Sequence, residues 1–560
     1  MLPALLAMLA CNKAADTADT APSWTPEIAC PGSDGCADGD GPLRAGASAV
    51  SITPTCFETW TDVDGDHGWD ADVDTFDDCG CDQLCADDEG YPGADEGEAD
   101  GVFDALWLSG FSNGRAAAGA HDELWARAIV LEQGDSRLAI VELDLIGWFY
   151  DHVLDTRSMA DEAGLDLDLV VVATTHQHEG PDTLGIWGQN PTKTGFDVDY
   201  GEYVKAQILA ALTEAVAELT EVEAYRVGSI DVAAQDTEKG NYNVVDDSRD
   251  PVIIDEVLGA AQFQDASGAT IATLVNWGNH PESLGGDNLL ITSDFADALR
   301  RSLEDGVVYD GEVTREGLGG TAIFLNAAVG GLMTPLHIEV TDGVGDRFAE
   351  ASFEKSEALG KVIASHALDA LDAAAVVDDP DLGFAGQSFF LQVENWGFQA
   401  MFIAGLLDRQ LYNWDDTEPV DDDNIPEVLT EIDRIEIGPL QILTVPGELA
   451  PELAIGGYDG SRVNTTLDEF VGSDNPNPPD VDQAPSGPYY KDMMPEHAWI
   501  LGLANDEIGY ILPAYDFQLD EVLPYFDEPD GDHYEETRSL GPATATRLDE
   551  EVSRLLSWSR

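Results

Sequence analysis

The stretch from Leu165 to Pro181 reads LDLDLVVVATTHQHEGP and carries indications of both fold and chemistry. Apolar and acidic residues alternate at its beginning and a continuous apolar run follows, which predicts a strand that becomes buried on both faces. His176 and His178 come directly after that run, in a chain that has only ten histidines. Because side chains two residues apart on extended backbone point to the same side, the pair could supply two zinc contacts, or one ligand and one catalytic partner. The alternative is a structural pair of polar side chains at a strand end.

Outward from this stretch, runs with strand periodicity alternate with runs of helical periodicity from about Leu106 to the C-terminus. Gly164 closes the helix that precedes the histidine strand. The pattern predicts an α/β fold, one large catalytic domain of mixed β-sheets with flanking helices and no internal repeat. The predicted strands are 45–54, 136–148, 165–175, 270–277, 321–328, 440–447 and 498–504, and the predicted helices are 151–164, 200–219, 352–374 and 547–557.

The charge balance is extreme, with 110 acidic against 25 basic residues and a net charge of −85. Such a surface repels the phosphates of nucleic acids and anionic lipid head groups, so no nucleic-acid partner is expected. It attracts cations and suits a protein in contact with salt or calcium, although solubility at high ionic strength explains most of the acidic residues. Hydrophobic residues make up 44% of the chain, which is ample material for a core.

The N-terminal sequence MLPALLAMLAC resembles the end of a bacterial lipoprotein signal, whose cysteine carries lipid after cleavage. Residues 1–11 are therefore predicted to be a signal, with a lipid anchor on Cys11 that would provide membrane contact. Residues 12–43 are rich in Ala, Asp, Thr, Gly and Pro, which predicts a flexible tether before the folded domain of residues 44–560. We expect an exported bacterial protein that is lipid-anchored to the cell envelope or secreted.

The seven cysteines support export, because all lie before residue 90 and six remain when Cys11 is set aside. Six cysteines predict up to three disulfides in an oxidising compartment. The alternative is a cytosolic metal cluster of Cys79, Cys81 and Cys85. It is disfavoured because thiolates among so many aspartates are difficult to keep ionised.

Residues 56–104 form an acidic, cysteine-rich insert in which aspartates recur at every second position. Carboxylates that alternate along a glycine-containing loop are typical of Ca²⁺ binding, although the glycine is not at the EF-hand position. The alternative is a disordered acidic segment, but the interleaved cysteines and aromatic residues favour a small ordered module. The candidate calcium ligands are Asp62, Asp64, Asp66, Asp70, Asp72 and Asp74.

Three more predicted strands are followed by residues that can bind metal. His280 follows a buried strand and precedes a proline, and Glu448 follows a strand and a Pro-Gly turn. The segment GLANDEIGY places Tyr510 after a further strand. In α/β folds, ligands gather at the carboxyl ends of strands. Taken singly, each residue also has a structural explanation, because glutamate caps helices and tyrosine packs in cores.

Taken together and in order, these segments resemble the neutral/alkaline ceramidase family of zinc amidohydrolases. ATTHQHEGP, from Ala173, is similar to the family's Thr-His-Thr-His-Ser-Gly-Pro segment, and NWGNHPE, from Asn276, to its second zinc-histidine segment. ITSDF, VPGE and GLANDEIGY follow in the family's order, and AGASAVSITP, from Ala45, resembles its opening strand. The resemblance runs through short blocks from Ala45 to the C-terminus and implies the family's N-terminal catalytic domain.

The resemblance implies a zinc ion held by His176, His280, Glu448 and Tyr510. Two imidazoles, a carboxylate and a phenolic oxygen leave room for water, which is typical of a catalytic zinc. Zinc would lower the pKa of that water and polarise an amide carbonyl. His178 would lie beside the metal, where it stabilises the tetrahedral oxyanion or protonates the leaving amine.

Two departures from the family's pattern bear on the mechanism. The family has a serine in a Gly-Asp-x-Ser-Pro segment, whereas the corresponding VGGLMTPL has Thr334 in that place and no preceding Asp. Thr334 is therefore a candidate catalytic residue, while zinc-bound water is favoured as the nucleophile. The segment DTLGIWG, which follows Pro181, would change the rim of the active site.

The sequence thus predicts a zinc-dependent amidohydrolase that hydrolyses an N-acyl amide bond in ceramide or another acylated lipid. One alternative keeps the metal and changes the bond, as in a zinc esterase or another hydrolase on the same scaffold. A second alternative is a calcium-dependent surface binding protein with an inactive enzyme core. The presence of all four implied zinc ligands favours the enzyme, and the four should converge on one point.

Overall fold

A computed structural model describes residues 24–559, apart from residues 34, 96, 237, 422, 463–468 and 532. The predicted signal, its anchor site at Cys11 and the first part of the predicted tether lie outside the described residues. Within the described part of the chain, fifteen strands build three five-stranded sheets, and seven α-helices accompany them. The strands are β1 (Ile28–Cys30), β2 (Arg44–Ser51), β3 (Trp125–Gln133), β4 (Ser136–Leu143), β5 (Leu169–Thr174), β6 (Thr220–Glu221), β7 (Ala224–Asp231), β8 (Val257–Gln264), β9 (Thr270–Trp277), β10 (Thr321–Asn326), β11 (Val376–Val377), β12 (Leu382–Gln392), β13 (Glu427–Ile437), β14 (Leu440–Thr444) and β15 (His497–Leu501). The helices are α1 (Tyr150–Ala163), α2 (Val198–Ala217), α3 (Phe295–Glu304), α4 (Phe353–Ala373), α5 (Trp396–Ile403), α6 (Pro451–Ile455) and α7 (Thr544–Ser557).

The three sheets share one plan of mixed pairing. The N-terminal sheet has the order β5-β4-β3-β2-β6, the central sheet β10-β9-β8-β7-β11, and the C-terminal sheet β1-β12-β13-β14-β15. Each contains a single parallel pair, which is β4 with β5, β9 with β10, and β14 with β15 respectively. The predicted α/β fold of mixed sheets with flanking helices is confirmed.

Short strand pairs connect the loops between these sheets. They are Trp60–Thr61 with Thr75–Phe76, Gly119–Ala120 with Leu290–Ile291, Asp246–Asp247 with Met333–Thr334, Gly306–Tyr309 with Glu312–Glu316, Val340–Thr341 with Arg347–Phe348, and Glu448–Leu449 with Tyr510–Ile511. The last pair lies beside the candidate site described below.

The inner faces of the three sheets pack together around a shared apolar core. In β4, Leu138 and Ile140 point into this core, whereas Ala139 and Val141 point into a second core beneath the helices. This follows from the two-residue period of a strand, whose successive side chains point to opposite faces. A strand buried on both faces needs apolar residues at every position, which explains the continuous apolar runs in the sequence.

Helices cover the outer faces of the sheets. Helix α2 packs on β2 and β3, α3 and α4 pack on the central sheet, and α7 packs on β12 and β13. Their ends follow the sequence: Asp197 accepts a hydrogen bond from the Tyr200 amide at the start of α2, and Gly164 ends α1 in the left-handed conformation at φ 71°. None of the described helices is long and apolar enough to span a membrane.

The cysteines of the described chain are all oxidised. The three disulfides are Cys30–Cys36, Cys56–Cys81 and Cys79–Cys85. The prediction of three disulfides is therefore confirmed, and the alternative of a metal cluster of three thiolates is excluded. The second and third disulfides lie in the acidic insert, which also has its own aromatic cluster of Trp60, Trp69, Phe76 and Phe103, with ring centroids 4.2 to 6.0 Å apart.

The predicted tether of residues 12–43 is wrong for its second half. Residues 28–30 form β1, which pairs antiparallel with β12, and the Cys30–Cys36 disulfide follows at once. The backbone of residues 38 to 41 is also bonded to the domain, because the Asp135 amide donates to the Asp38 carbonyl at 2.7 Å. The segment has few large apolar side chains, and backbone hydrogen bonds and a disulfide order it instead.

Candidate metal centre

The carboxyl ends of the three parallel strand pairs meet at one place. His176 follows β5, His280 follows β9, and Glu448 follows β14. Asn326, the last residue of β10, donates from its side chain to backbone carbonyls of both histidine segments, at 2.8 and 3.0 Å. The structure therefore brings together side chains that lie far apart in the sequence, as expected for the carboxyl ends of strands.

His176 and His280 present the same ring atom to the same carboxylate oxygen. Nε2 of His176 lies 3.3 Å from Oε2 of Glu448, and Nε2 of His280 lies 3.1 Å from it. The opposite ring atoms, Nδ1, contact the backbone carbonyls of Ile146 at 2.6 Å and Met333 at 2.7 Å. A neutral ring that donates from Nδ1 keeps an unprotonated Nε2, so in that state both nitrogen lone pairs point into one space.

This donor set fits a zinc ion. Ligand atoms about 2.0 to 2.1 Å from a tetrahedral zinc lie about 3.3 to 3.4 Å from one another. The measured separations of 3.1 and 3.3 Å between the two Nε2 atoms and Oε2 match that spacing. Burial favours the neutral form of Glu448, but His176 and His280, when protonated, outweigh burial through their charge and hydrogen bonds and hold its pKa at about 2. The carboxylate is therefore ionised, as a metal ligand must be.

The backbone of His176 is held in an unusual conformation. Its φ of 63° lies in the left-handed region, which residues with a Cβ rarely adopt. The His176 amide donates to the Leu145 carbonyl at 3.0 Å, and the ring bond to Ile146 adds a second attachment to the same loop. Strain of this kind persists where surrounding contacts fix it, and it often marks a functional position.

His178 completes a buried group of three histidines that could bind a metal. Its ring centroid lies 5.2 Å from that of His176 and 5.5 Å from that of His280. Neither of its ring nitrogens has a hydrogen-bond partner among the described residues, although Oε2 of Glu282 is 3.2 Å from Nδ1. Burial, and then the neighbouring histidines and Arg115, lower the pKa of His178 well below its ordinary value. This shift favours the neutral ring, and Nε2 has no contact with a described carboxylate that would compete with another group.

Tyr510 and Thr334 both lie close to this group, in different positions. Tyr510 is the partner of Glu448 in a short parallel strand pair, and burial and the charge of Glu448 raise its pKa well above the ordinary value. Thr334 follows Met333, whose carbonyl holds His280. Burial raises the pKa of the nearby Glu282, and the charge of His280 and a hydrogen bond from the Thr334 hydroxyl oppose that rise.

One pocket has three of the four candidate zinc ligands in its wall. His176, Glu448 and Tyr510 line it together with His178, whereas neither His280 nor Thr334 is among the described residues that do. The rest of the wall is largely apolar, as is typical of a site for a lipid-like small molecule. The apolar lining residues are Ile146, Phe149, Leu184, Ile186, Trp187, Phe398, Phe402, Leu407, Ile508 and Leu540.

Three buried charged residues near the histidines were not predicted as parts of the site. The Arg115 guanidinium donates to the Ser109 carbonyl at 2.8 Å and to Oε2 of Glu179 at 2.7 Å, and so fixes the loop that carries His178. Glu507 lines the pocket, and burial raises its pKa well above the ordinary value. Glu282 lies two residues after His280, and this proximity in NWGNHPE was the one signal in the sequence that could have found it.

The candidate calcium ligands divide into two groups. Carboxylate oxygens of Asp62, Asp64 and Asp66 lie within 4.8 Å of one another and could hold a metal ion. Asp70, Asp72 and Asp74 do not join that group. Asp74 turns inward, where its carboxylate accepts hydrogen bonds from the backbone amides of Val63 and Asp70 at 2.9 and 2.7 Å. Calcium binding by the first three aspartates stays a prediction.

Comparison with known proteins gives matches at the level of structure. No protein-family model matches the sequence, and no curated protein matches it significantly. A crystal structure of neutral ceramidase from Pseudomonas aeruginosa superimposes with a TM-score of 0.57 and 15% sequence identity, covering 92% of this chain and 74% of that chain. A ceramidase complexed with C2 superimposes with a TM-score of 0.56 and 14% identity, covering 92% and 75%. The chain therefore has the fold of the neutral ceramidases.

Proposed function

We propose that this protein is a zinc-dependent amidohydrolase that cleaves the N-acyl amide bond of a ceramide-like lipid. The observation that carries the proposal is the convergence of two Nε2 atoms on one Glu448 oxygen, beside a largely apolar pocket that His176 and Glu448 line. A metal-binding group beside an apolar volume is suited to a reaction at the polar bond of a lipid with a long acyl chain. The shared fold of neutral ceramidase supports the same reaction class, by analogy.

The residues present have distinct proposed roles. His176, His280, Glu448 and Tyr510 would hold the zinc ion. When bound, zinc supplies Lewis acidity, which polarises an amide carbonyl and makes water a stronger nucleophile at neutral pH. His178, whose ring nitrogens make no hydrogen bond within the described structure, would donate a hydrogen bond to the acyl oxygen as negative charge develops there.

The apolar wall of the pocket binds the acyl chain in this proposal. Phe398 and Phe402 contribute two rings to that wall, together with Trp187. An apolar wall stabilises the acyl chain by removing it from water, and it also keeps bulk water away from the reacting bond.

Water rather than Thr334 is the proposed nucleophile. Thr334 is buried, and its hydroxyl accepts a hydrogen bond from the Leu336 amide at 3.0 Å. A side chain in that position supports Glu282 and the strand that holds His280. We assign Thr334 this structural role.

We also propose that the protein acts outside the cytoplasm. Three disulfides within the first part of the domain support this location, because disulfides persist in oxidising compartments. Mass spectrometry of the protein purified from its native membrane fraction tests the further proposal of a lipid on Cys11. An unmodified N-terminus on a protein recovered from the cytosol would contradict both.

The function is tested by metal content and hydrolysis measured on the same purified samples. Wild-type protein should carry one zinc per chain and release fatty acid from a ceramide. His280→Ala should lose both, because it removes one of the donors that converge on Glu448. His337→Ala, an exposed histidine outside the site, is the matched control and should keep both.

Assays with different substrates distinguish the amidohydrolase from the esterase and from the calcium-dependent binding protein. Zinc with cleavage of acyl esters but not of amides would replace the amidohydrolase by an esterase on the same scaffold. Calcium without zinc, and no hydrolysis, would leave a calcium-dependent binding protein and overturn the proposal.

A further inference from the structure

Helix α5 is apolar on both of its faces. Trp396 and Ile403 are seven residues apart, about two helical turns, so they lie on one face, and both are exposed. Phe398 and Phe402 are four residues apart on the opposite face, where they are buried and line the pocket. The sequence from Asn395 to Leu407 contains no charged residue, in a chain of which 24% is charged. A helix that is apolar all round is normally covered on all sides.

A second segment extends this exposed face. The ring of Phe526 packs on Trp396 with centroids 4.2 Å apart, and the turn that carries Phe526 also exposes Val522 and Leu523. Val522 is 81% exposed and Phe526 57% exposed, which is unusual for side chains of this size. The turn is ordered, because the Asp520 carboxylate accepts hydrogen bonds from the amides of Val522 and Leu523 at 2.8 and 2.7 Å. These side chains are therefore held outward by the local structure.

We name this surface the apolar rim, and we propose that it docks the protein on a lipid surface of zwitterionic or uncharged head groups. The apolar rim consists of Trp396, Ile403, Val522, Leu523 and Phe526. The inference rests on the proposed function in one respect, namely that the pocket behind the rim takes a lipid substrate.

The position of the rim supports a lipid surface. A single helix separates the rim from the pocket, since the outer face of α5 belongs to the rim and its inner face to the pocket wall. A protein that lies on lipid through this face has its pocket one helix away from the acyl chains. Tryptophan is typical of protein surfaces at the boundary between lipid and water, because its ring is apolar and its N–H group is polar.

Charge decides between the competing occupants. The chain has a net charge of −85, and acidic residues flank the exposed turn at Glu521, Asp527 and Glu528. Two copies of such a chain repel each other, which disfavours a second copy on the rim, and an anionic membrane is repelled as well. A zwitterionic surface offers apolar burial without that repulsion, so phosphatidylcholine is the appropriate probe.

The test is co-sedimentation of the full-length protein with phosphatidylcholine vesicles that contain no substrate. Wild-type protein should bind the vesicles. The triple variant Ile403→Ser, Val522→Ser, Phe526→Ser should bind at least about tenfold more weakly, because it loses the apolar area that enters the lipid. The matched control, Val313→Ser with Val344→Ser, replaces equally exposed valines elsewhere and should bind like wild type. Phosphatidylglycerol vesicles should bind all three proteins weakly.

Hydrolysis gives a second readout that separates docking from chemistry. The triple variant should hydrolyse a water-soluble short-chain N-acyl amide at the wild-type rate and a long-chain substrate in vesicles about tenfold more slowly. If no substrate is hydrolysed but vesicle binding depends on the rim, the proposed function fails and the docking surface stands. The inference is overturned if wild-type protein does not bind phosphatidylcholine vesicles, or if the triple variant binds them as strongly as the control does. A wild-type dimer that the triple variant converts to a monomer would assign the rim to a second copy instead.

Discussion

The backbone of Gly110 lies against the side chain of His178. Replacing Gly110 by alanine tests whether His178 acts on the substrate while His176 and His280 hold the metal. The glycine has a φ of 99°, and a Cβ built on it would lie 2.5 Å from both Cβ and Cγ of His178 and 2.7 Å from Nδ1. The His178 backbone cannot easily retreat, because its amide donates to the Pro281 carbonyl at 3.1 Å and its own carbonyl accepts from Arg115 at 3.4 Å. Gly110→Ala must therefore move the His178 side chain.

The size of the effect follows from the overlap. Carbon atoms in contact normally lie about 3.5 to 4.0 Å apart, so a 2.5 Å approach requires His178 to move by about 1 Å. A displacement of about 1 Å at a reacting centre lowers the rate by about 100-fold, which corresponds to about 2.7 kcal/mol of barrier. The three atoms nearest to the new methyl group all belong to His178, so we expect the zinc content to stay at one per chain.

The assay combines kcat on an N-acyl amide substrate with zinc per chain in the same sample. Gly311→Ala is the matched control, since Gly311 also has a positive φ, of 80°, but a Cβ there meets nothing within 4 Å. We expect about a 100-fold lower kcat for Gly110→Ala only. A kcat within threefold of wild type would remove His178 from the reaction, and loss of zinc together with activity would make His178 a metal ligand.

Three further predictions concern the nucleophile, the supporting ion pairs and the metal. Thr334→Val should lower kcat by less than about tenfold, because no bond to the substrate is lost, whereas a loss above about 1000-fold would identify Thr334 as the nucleophile. Arg300→Met leaves the buried carboxyl groups of Asp144 and Glu142 without their guanidinium partner, so urea unfolding should show a free energy of unfolding lower by about 3 to 5 kcal/mol. A decrease below about 1 kcal/mol would contradict the importance of that ion pair. A zinc chelator should lower the Tm, and added zinc should restore it, since free zinc at about 1,000 times its Kd stabilises the folded chain by about 4 kcal/mol. A Tm that changes with neither treatment would show that the fold holds no zinc.

The sequence predicted those helices and strands whose own hydrophobic pattern and end residues determine their structure. The predicted helix 151–164 corresponds to α1 with its glycine cap, and the apolar run before His176 is β5. Strands β12 and β13 were not predicted, because β12 mixes buried and exposed residues without a clean period and obtains its stability from its partner. The same reason explains β1, whose pairing of Ile28 with Gly386 spans most of the chain. Pairing over such distances leaves no trace in a local pattern.

The sequence predicted the candidate metal ligands, because each follows a strand. It did not predict the buried charged residues that surround them. His176, His280 and Glu448 each follow a strand, and the order of their segments in the sequence pointed to a family. Arg115 could not be found in that way, because its partners Glu179 and Asn288 are 64 and 173 residues away in the sequence. Whether a charged residue is buried and paired depends on the three-dimensional arrangement of distant segments.

The most direct test is an anomalous diffraction map, recorded on either side of the zinc absorption edge from crystals of the protein as purified. We predict one peak within coordination distance of Nε2 of His176, Nε2 of His280 and a carboxylate oxygen of Glu448, with Tyr510 beside it. No peak at that point, or a single metal bound only by Asp62, Asp64 and Asp66, would contradict the zinc amidohydrolase assignment.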